Sequence, residues 1–250
     1  MSKFYGVVEG FFSKPLSVWS NEERLDIVNF IRSHCKNIKV YFYCPKNDPF
    51  VNSSWNKLYP KDRLNDLLKV KGILGEGDID FVYGLNPSFE VDEIKKDKKG
   101  YLLKIKNKIK QLQSIGVRKF CILYDDIPFA DQILDDNASS GEKISGGLQA
   151  EVMNELLLSL KEEDCELWFC PSDYFYKEET VYLKSLFKDL NKNIKLIWSG
   201  HNVWTKQVKS EELLISKEIV GERDLIWWSN YPVNDDQHAL GRYHIGGFKE

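Results

Sequence analysis

The sequence predicts an α/β fold, a TIM-type (β/α) barrel built as a single domain over its 250 residues. Three observations lead there. Seven short apolar runs alternate with amphipathic stretches of helical period. Each run is rich in β-branched and aromatic residues, as strands covered on both faces are. Nearly every run also closes on a polar or conformationally special residue, at the end where a barrel gathers its loops into one mouth.

The strand runs, in order, are FYGVVEGFF (Phe4 to Phe12), NIKVYFYC (Asn37 to Cys44), IDFVYGL (Ile79 to Leu85) and KFCILY (Lys119 to Tyr124). CELWFC (Cys165 to Cys170), IKLIW (Ile194 to Trp198) and DLIWW (Asp224 to Trp228) complete them. Between them, Ser20 and Glu23 form a capping-box pattern ahead of Leu25, Val28 and Ile31. Pro60 stands where a first helical turn would start, before Leu64, Leu67 and Leu68. Leu102, Ile105, Ile109 and Leu112 step by three and four, and Gly116 offers a C-terminal cap. Further helices are expected around Gln149 to Glu162, Glu178 to Leu190 and Ser210 to Ile219.

Alternating strands and helices call for a parallel sheet with right-handed crossovers. An open doubly wound sheet also satisfies that pattern, but would use mainly the strand ends at its switch point. Here the polar ends are distributed over the chain: Glu9-Gly10, Pro45-Lys46, Asn86-Pro87, Asp125-Asp126, Asp173-Tyr174, Ser199-Gly200 and Asn230. That distribution favours the barrel. Residues 127–147 are long, polar and glycine-containing, which predicts a lid or flap directly after the acidic pair.

Composition narrows the function classes. The net charge is -3 and Lys and Glu are interspersed, so no basic face for nucleic acid or an anionic membrane is evident. Five cysteines lack any CxxC spacing, which argues against structural zinc and for free thiols. No secretory leader pattern and no apolar run of membrane-spanning length are found, so a cytoplasmic setting is expected. Seven Trp and twelve Tyr suit either sugar stacking or core filling. No cofactor motif is found, and the four histidines lack zinc spacing.

Chemistry is best sought at Asp125 and Asp126. Two neighbouring carboxylates at the end of a buried strand repel each other, and burial with like charge raises a carboxyl pKa, as a general acid requires. The alternative is an Asp pair that caps the next turn or pairs with lysines. Lys46, in YCPKNDP, could donate to a sugar hydroxyl or pair with Asp48 at the surface. WWSNYPVND brings Trp228, Asn230 and Asp235 within eight positions, either as sugar contacts with an aromatic wall or as a strand followed by a polar turn. Tyr174, after CPSD, is a hydrogen-bond donor at the mouth or ordinary packing.

Taken together, VVEGFF, YFYCPKNDP, ILYDDI, CPSDY, IWSG and WWSNYPVND occur in the order found in family 84 glycoside hydrolases. That family comprises O-GlcNAcases and related β-N-acetylglucosaminidases, and the resemblance spans nearly the whole chain. It implies a TIM-type barrel and retaining hydrolysis assisted by the substrate's own 2-acetamido group, with no protein nucleophile. It assigns Asp125 to the acetamido nitrogen and Asp126 to acid and base work on the leaving oxygen and the incoming water. It puts the Gly10 carbonyl and Lys46 on sugar hydroxyls, Tyr174 on the acetamido oxygen and Trp228 at the wall of the acetamido pocket. Asn230 would bind near the reacting centre, and Asp235 would grip the 4- and 6-hydroxyls. The implied partner is a glycan or glycoprotein carrying N-acetylglucosamine.

The chain departs from the family at Phe12, Ser13 and Lys14, where tyrosine, glycine and arginine are usual, and at Ser199, where threonine is common. The family's last barrel strand would begin beyond Glu250, so the expectation is seven strands with an irregular or missing eighth, for which Arg242 to Phe248 is the remaining candidate. An unclosed barrel exposes two strand edges, which a loop or, in a homo-oligomer, another subunit would cover. A non-hydrolytic N-acetylglucosamine-binding descendant is the alternative to an enzyme.

Overall fold

The structure is a computed structural model that describes residues 4–10, 19–125, 138–175, 180–203, 205, 209–221 and 223–230. Within these, all seven strand runs are strands. They are β1 (Tyr5–Glu9), β2 (Ile38–Tyr43), β3 (Asp80–Leu85), β4 (Lys119–Leu123), β5 (Glu166–Cys170), β6 (Lys195–Trp198) and β7 (Leu225–Trp227). They form one sheet in chain order, β1 to β7. The pairs β1–β2, β2–β3, β3–β4, β5–β6 and β6–β7 are parallel. Sequential parallel order with a helix in each crossover is the topology of a (β/α) barrel. Among the described residues there is no eighth strand, and Arg242 to Phe248 lies outside them.

The helices are α1 (Asn21–His34), α2 (Lys61–Gly75), α3 (Val91–Lys96), α4 (Lys98–Gln113), α5 (Ala138–Leu160), α6 (Val181–Asp189) and α7 (Ser210–Val220). The capping box forms as expected: Glu23 N–H donates to Ser20 Oγ at 3.2 Å, and Ser20 N–H donates to the Glu23 carboxylate at 2.7 Å. Pro60 is the residue just before the first turn of α2, one position earlier than its usual helical place. Leu102, Ile105, Ile109 and Leu112 of α4 are all buried, so the three-and-four spacing marks the core face. Gly116 takes φ +82°, the left-handed conformation that favours glycine. There Gly116 N–H donates to Gln113 O, closing the turn after α4.

One expectation requires correction, and one helix is new. The span 127–147 is not one long loop: α5 begins at Ala138, so its second half is helical, while 127–137 lie outside the described residues. One glycine there, Gly146, serves packing. A Cβ on Gly146 would stand 2.3 Å from Ser185 Oγ and 2.4 Å from the Tyr182 carbonyl, so α5 meets α6 at a glycine. The short helix α3, six residues with one buried apolar side chain, Ile94, was not anticipated because it shows too little periodicity to read.

The chain sorts into two compact units. One joins the residues up to Ser88 with Lys99–Ile122 and Glu163–Glu166; the other joins Phe89–Lys98, Leu123–Glu162 and Leu167 onward. The first buries Val28, Leu67, Val70, Leu74 and Ile105 around Val40, Phe42, Val82 and Phe120. The second buries Val152, Met153 and Leu156 of α5 with Leu183 and Leu186 of α6, and Trp168, Phe169, Ile197 and Trp198 from its strands. None of the five cysteines forms a disulfide, and Cys44, Cys121 and Cys170 are buried. Among the described residues no helix is long and apolar enough to cross a membrane.

Candidate active site

In the second unit the polar residues that follow β4, β5, β6 and β7 are tied to one another. After β4 the chain stays buried through Tyr124, whose N–H donates to the Cys170 carbonyl at 2.8 Å. Its ring packs against Phe89 at 4.6 Å and Phe169 at 5.7 Å. Asp125 is thus the first side chain past an apolar run that can reach solvent, and it is half-buried. Asp126 lies outside the described residues.

Tyr174 follows β5. Burial raises its phenol pKa, the neighbouring Cys170 and Asp125 raise it further, and a hydrogen bond with Asn230 acts the other way. The charge of Asp125 is therefore felt at the Tyr174 hydroxyl, which stays protonated and able to donate. The Tyr174 carbonyl accepts the Ser199 N–H at 2.8 Å. Ser199 is buried, and its own carbonyl accepts Thr205 Oγ1 at 2.7 Å. Past β7, the Trp228 N–H donates to the Trp198 carbonyl at 2.8 Å, and the Trp228 indole N–H donates to Asn230 Oδ1 at 2.8 Å. Asn230 Nδ2 donates in turn to the Val203 carbonyl at 2.8 Å. Asp235 lies outside the described residues.

The segment before Tyr174 is fixed by residues that sequence reading did not single out. Tyr182 of α6 accepts the Ser172 N–H at 3.0 Å and donates to Gln149 Oε1, while Gln149 Nε2 donates to Ser172 Oγ at 3.0 Å. Thr180 caps α6 by accepting the Leu183 N–H at 3.1 Å, and its hydroxyl donates to Asp173 Oδ2 at 3.2 Å. Burial raises the Asp173 carboxyl above its ordinary range, and the Thr180 bond offsets this in part. No spacing rule links Gln149 to Tyr182; only the contact of α5 with α6 joins them.

In the first unit, Gly10 follows β1 and Lys46 follows β2. The two strand ends are joined where the Cys44 N–H donates to the Glu9 carbonyl at 3.0 Å. Glu9 itself is fully buried and gripped by Arg24, whose Nε and Nη2 lie 2.7–3.0 Å from its oxygens, and by Tyr41 Oη at 2.6 Å. Asp48, considered as a surface partner for Lys46, does not lie at the surface. Asp48 is 2% exposed, and its carboxylate accepts from Tyr43, Tyr59 and the Phe50 N–H. Lys46 is half-buried. Among the described residues no group of three or more His, Cys, Asp or Glu could hold a metal ion.

A half-buried carboxylate near a protonated phenol, with an amide and an indole locked beside that phenol, can orient a polar, amide-bearing ligand. It offers an acceptor and a donor to one group. Comparison with known proteins points the same way. A model of a β-N-acetylglucosaminidase family matches residues 5–250. Over 246 residues the chain is 27% identical to protein O-GlcNAcase of Rattus norvegicus and of Mus musculus, covering 94% of this chain and 25% of each relative. It therefore spans about a quarter of the length of these curated relatives. The solved structure of CpGH84B is similar with a TM-score of 0.78 at 30% identity, covering 93% of this chain and 40% of that one. A mutant of the Thermobaculum terrenum O-GlcNAc hydrolase follows with a TM-score of 0.77 at 25% identity, covering 94% and 49%.

Proposed function

Because this chain belongs to the β-N-acetylglucosaminidase family, we propose that it is a retaining glycoside hydrolase that removes terminal β-linked N-acetylglucosamine. The reaction runs through an oxazoline formed by the substrate's acetamido group. The observation that carries the reading is a buried Tyr174 hydroxyl after β5, kept protonated mainly by burial and further by Cys170 and Asp125, and hydrogen-bonded to Asn230. A charged Asp125 accepts the acetamido N–H as positive charge develops there, and the Tyr174 hydroxyl donates to the acetamido oxygen as it attacks the anomeric carbon. Asp126 protonates the departing oxygen and then takes a proton from the incoming water. The field of Asp125 favours that protonated state of its neighbour.

Trp228 walls the acetamido pocket and Asn230 steadies both Trp228 and Tyr174. Lys46, Asp235 and the Gly10 carbonyl bind sugar hydroxyls. The substrate is a glycan or glycoprotein bearing N-acetylglucosamine, and five cysteines outside any disulfide suit work in a reducing, cytoplasmic setting.

Release of chromophore from an aryl N-acetyl-β-glucosaminide tests the reading. Asp126→Asn is expected to slow it by about 10²–10⁴-fold while the fold survives. Asp125→Asn should slow it as well, most of all where acetamido participation is needed. Unchanged turnover in Asp126→Asn rejects the assignment. Calorimetric binding of N-acetylglucosamine by a parent protein without turnover would mark a binding descendant instead. Equal hydrolysis of the matching aryl glucoside would point to a different glycosidase.

A further inference from the structure

The loop that carries Lys46 is anchored by one buried carboxylate. Asp48 Oδ2 accepts the Tyr43 hydroxyl at 2.7 Å and the Tyr59 hydroxyl at 2.7 Å. Its Oδ1 accepts the Phe50 N–H at 2.9 Å. The backbone turns tightly around it: Asp48 N–H donates to the Pro45 carbonyl at 3.1 Å, and Asp48 O accepts from Val51 N at 3.1 Å and Asn52 N at 3.2 Å. Asn52, oriented by that turn, donates Nδ2 to the Lys46 carbonyl at 3.1 Å and to the Pro45 carbonyl at 3.3 Å. Lys46 thus has its main chain pinned from both sides, two residues from the carboxylate.

The support is charged as well as hydrogen-bonded. Lys108 of α4 is buried, donates to the Lys57 carbonyl and holds its Nζ 4.5 Å from the Tyr59 ring centroid and 5.2 Å from that of Phe50. Tyr59 links onward to Tyr83 with 3.0 Å between the hydroxyls. A buried carboxylate is a costly way to brace a surface loop. Its chemistry explains the choice. Three donors converge on Asp48, and only a group that accepts at both oxygens satisfies them; an asparagine would turn an NH₂ toward at least one donor.

We infer that Asp48 is a positioning residue for Lys46: by fixing the main chain at Pro45 and Lys46 it presents a long, flexible ammonium to the substrate at reduced entropic cost. This rests on the reading of Lys46 as a sugar contact. An interaction present in ground and transition states alike appears in KM rather than kcat. A lysine–hydroxyl contact of that kind is the one Asp48 tunes.

The test is a cycle of Lys46→Ala, Asp48→Asn and the double variant, each assayed for KM and kcat on an aryl N-acetyl-β-glucosaminide and for the Kd of N-acetylglucosamine by calorimetry. Lys46→Ala and Asp48→Asn should each raise KM and Kd about tenfold and leave kcat within about twofold. On the Lys46→Ala background, Asp48→Asn should add nothing further. An equal rise on both backgrounds, or no rise in the single Asp48→Asn variant, overturns the inference while leaving Lys46 as a sugar contact. Unchanged KM and Kd in Lys46→Ala overturns that reading and this inference with it. If the parent does not hydrolyse the substrate, the Kd arm alone decides the positioning role. If Asp48→Asn does not fold, Tyr59→Phe, which removes one donor and keeps the carboxylate, takes its place in the same cycle with the same outcomes.

Discussion

A carboxylate taken wholly out of water must find compensation, and Glu9 finds it in a two-pronged contact with Arg24 and a phenol from Tyr41. Arg24 is held in turn by Asn21 at 3.0 Å and by the face of Tyr43 at 5.3 Å. Such a pair contributes little net stability relative to apolar residues, but removing one partner strands the other. Arg24→Met is therefore expected to destabilise the protein by about 3–5 kcal/mol, read from the urea midpoint. Glu9→Gln combined with Arg24→Met should lose less than Arg24→Met alone, because no charge remains stranded. A double variant weaker than the single would show that the pair does more than neutralise itself. Several residues proposed for chemistry stand out in the sequence because they follow a strand: Asp125 comes after KFCILY and Asn230 after DLIWW. Glu9 and Asp48 were visible only as polar letters in or near apolar runs, since a sequence does not say which carboxylates will be surrounded.

At the scale of elements, local rules performed well where the partners lie within one turn. The Ser20–Glu23 capping box needs only residues three apart, and it is present. They failed where a neighbouring element sets the meaning of a residue. Gly146 and Gly147 suggest a loop, since each costs about 1 kcal/mol in a helix relative to alanine. Yet both are helical, and they differ sharply in surroundings. At Gly146 a Cβ would meet Ser185 Oγ and the Tyr182 backbone inside 2.5 Å, whereas at Gly147 nothing lies within 4 Å. Gly146→Ala should therefore cost about 1–3 kcal/mol through forced separation of α5 and α6. Gly147→Ala should gain about 0.5–1 kcal/mol from propensity. Thermal denaturation of the two variants checks the pair, and equal shifts would contradict the packing account.

For the whole molecule, pH reads out the buried network of the first unit. Desolvation lowers the Lys108 pKa to about 8, against the smaller upward pull of Asp48. Below that pH the folded and unfolded chains both carry the ammonium. From about pH 8 toward 10.5 the unfolded chain holds more protons, so this group's contribution to stability rises with pH. Tyr43, Tyr59 and Tyr83 are pushed well above the ordinary phenol range, mainly by burial. Above about pH 10 the unfolded chain ionises its tyrosines first, and stability falls. Between pH 7.5 and 9.5 the parent should gain about 2 kcal/mol relative to Lys108→Met in urea denaturation; parallel curves would refute the lowering of the Lys108 pKa by burial. The strand order, the crossover helices and the family resemblance all lie in the one-dimensional pattern, because hydrophobic period and turn chemistry are local properties repeated along the chain. What waited for tertiary structure is the company each polar group keeps. Tyr174 gains its ties to Asn230, and Asp48 its two phenols, from segments 56 and up to 11 residues away. Burial and charge act through distance in space, so neither the anchoring of Lys46 nor the protonation of Tyr174 could be read from spacing alone.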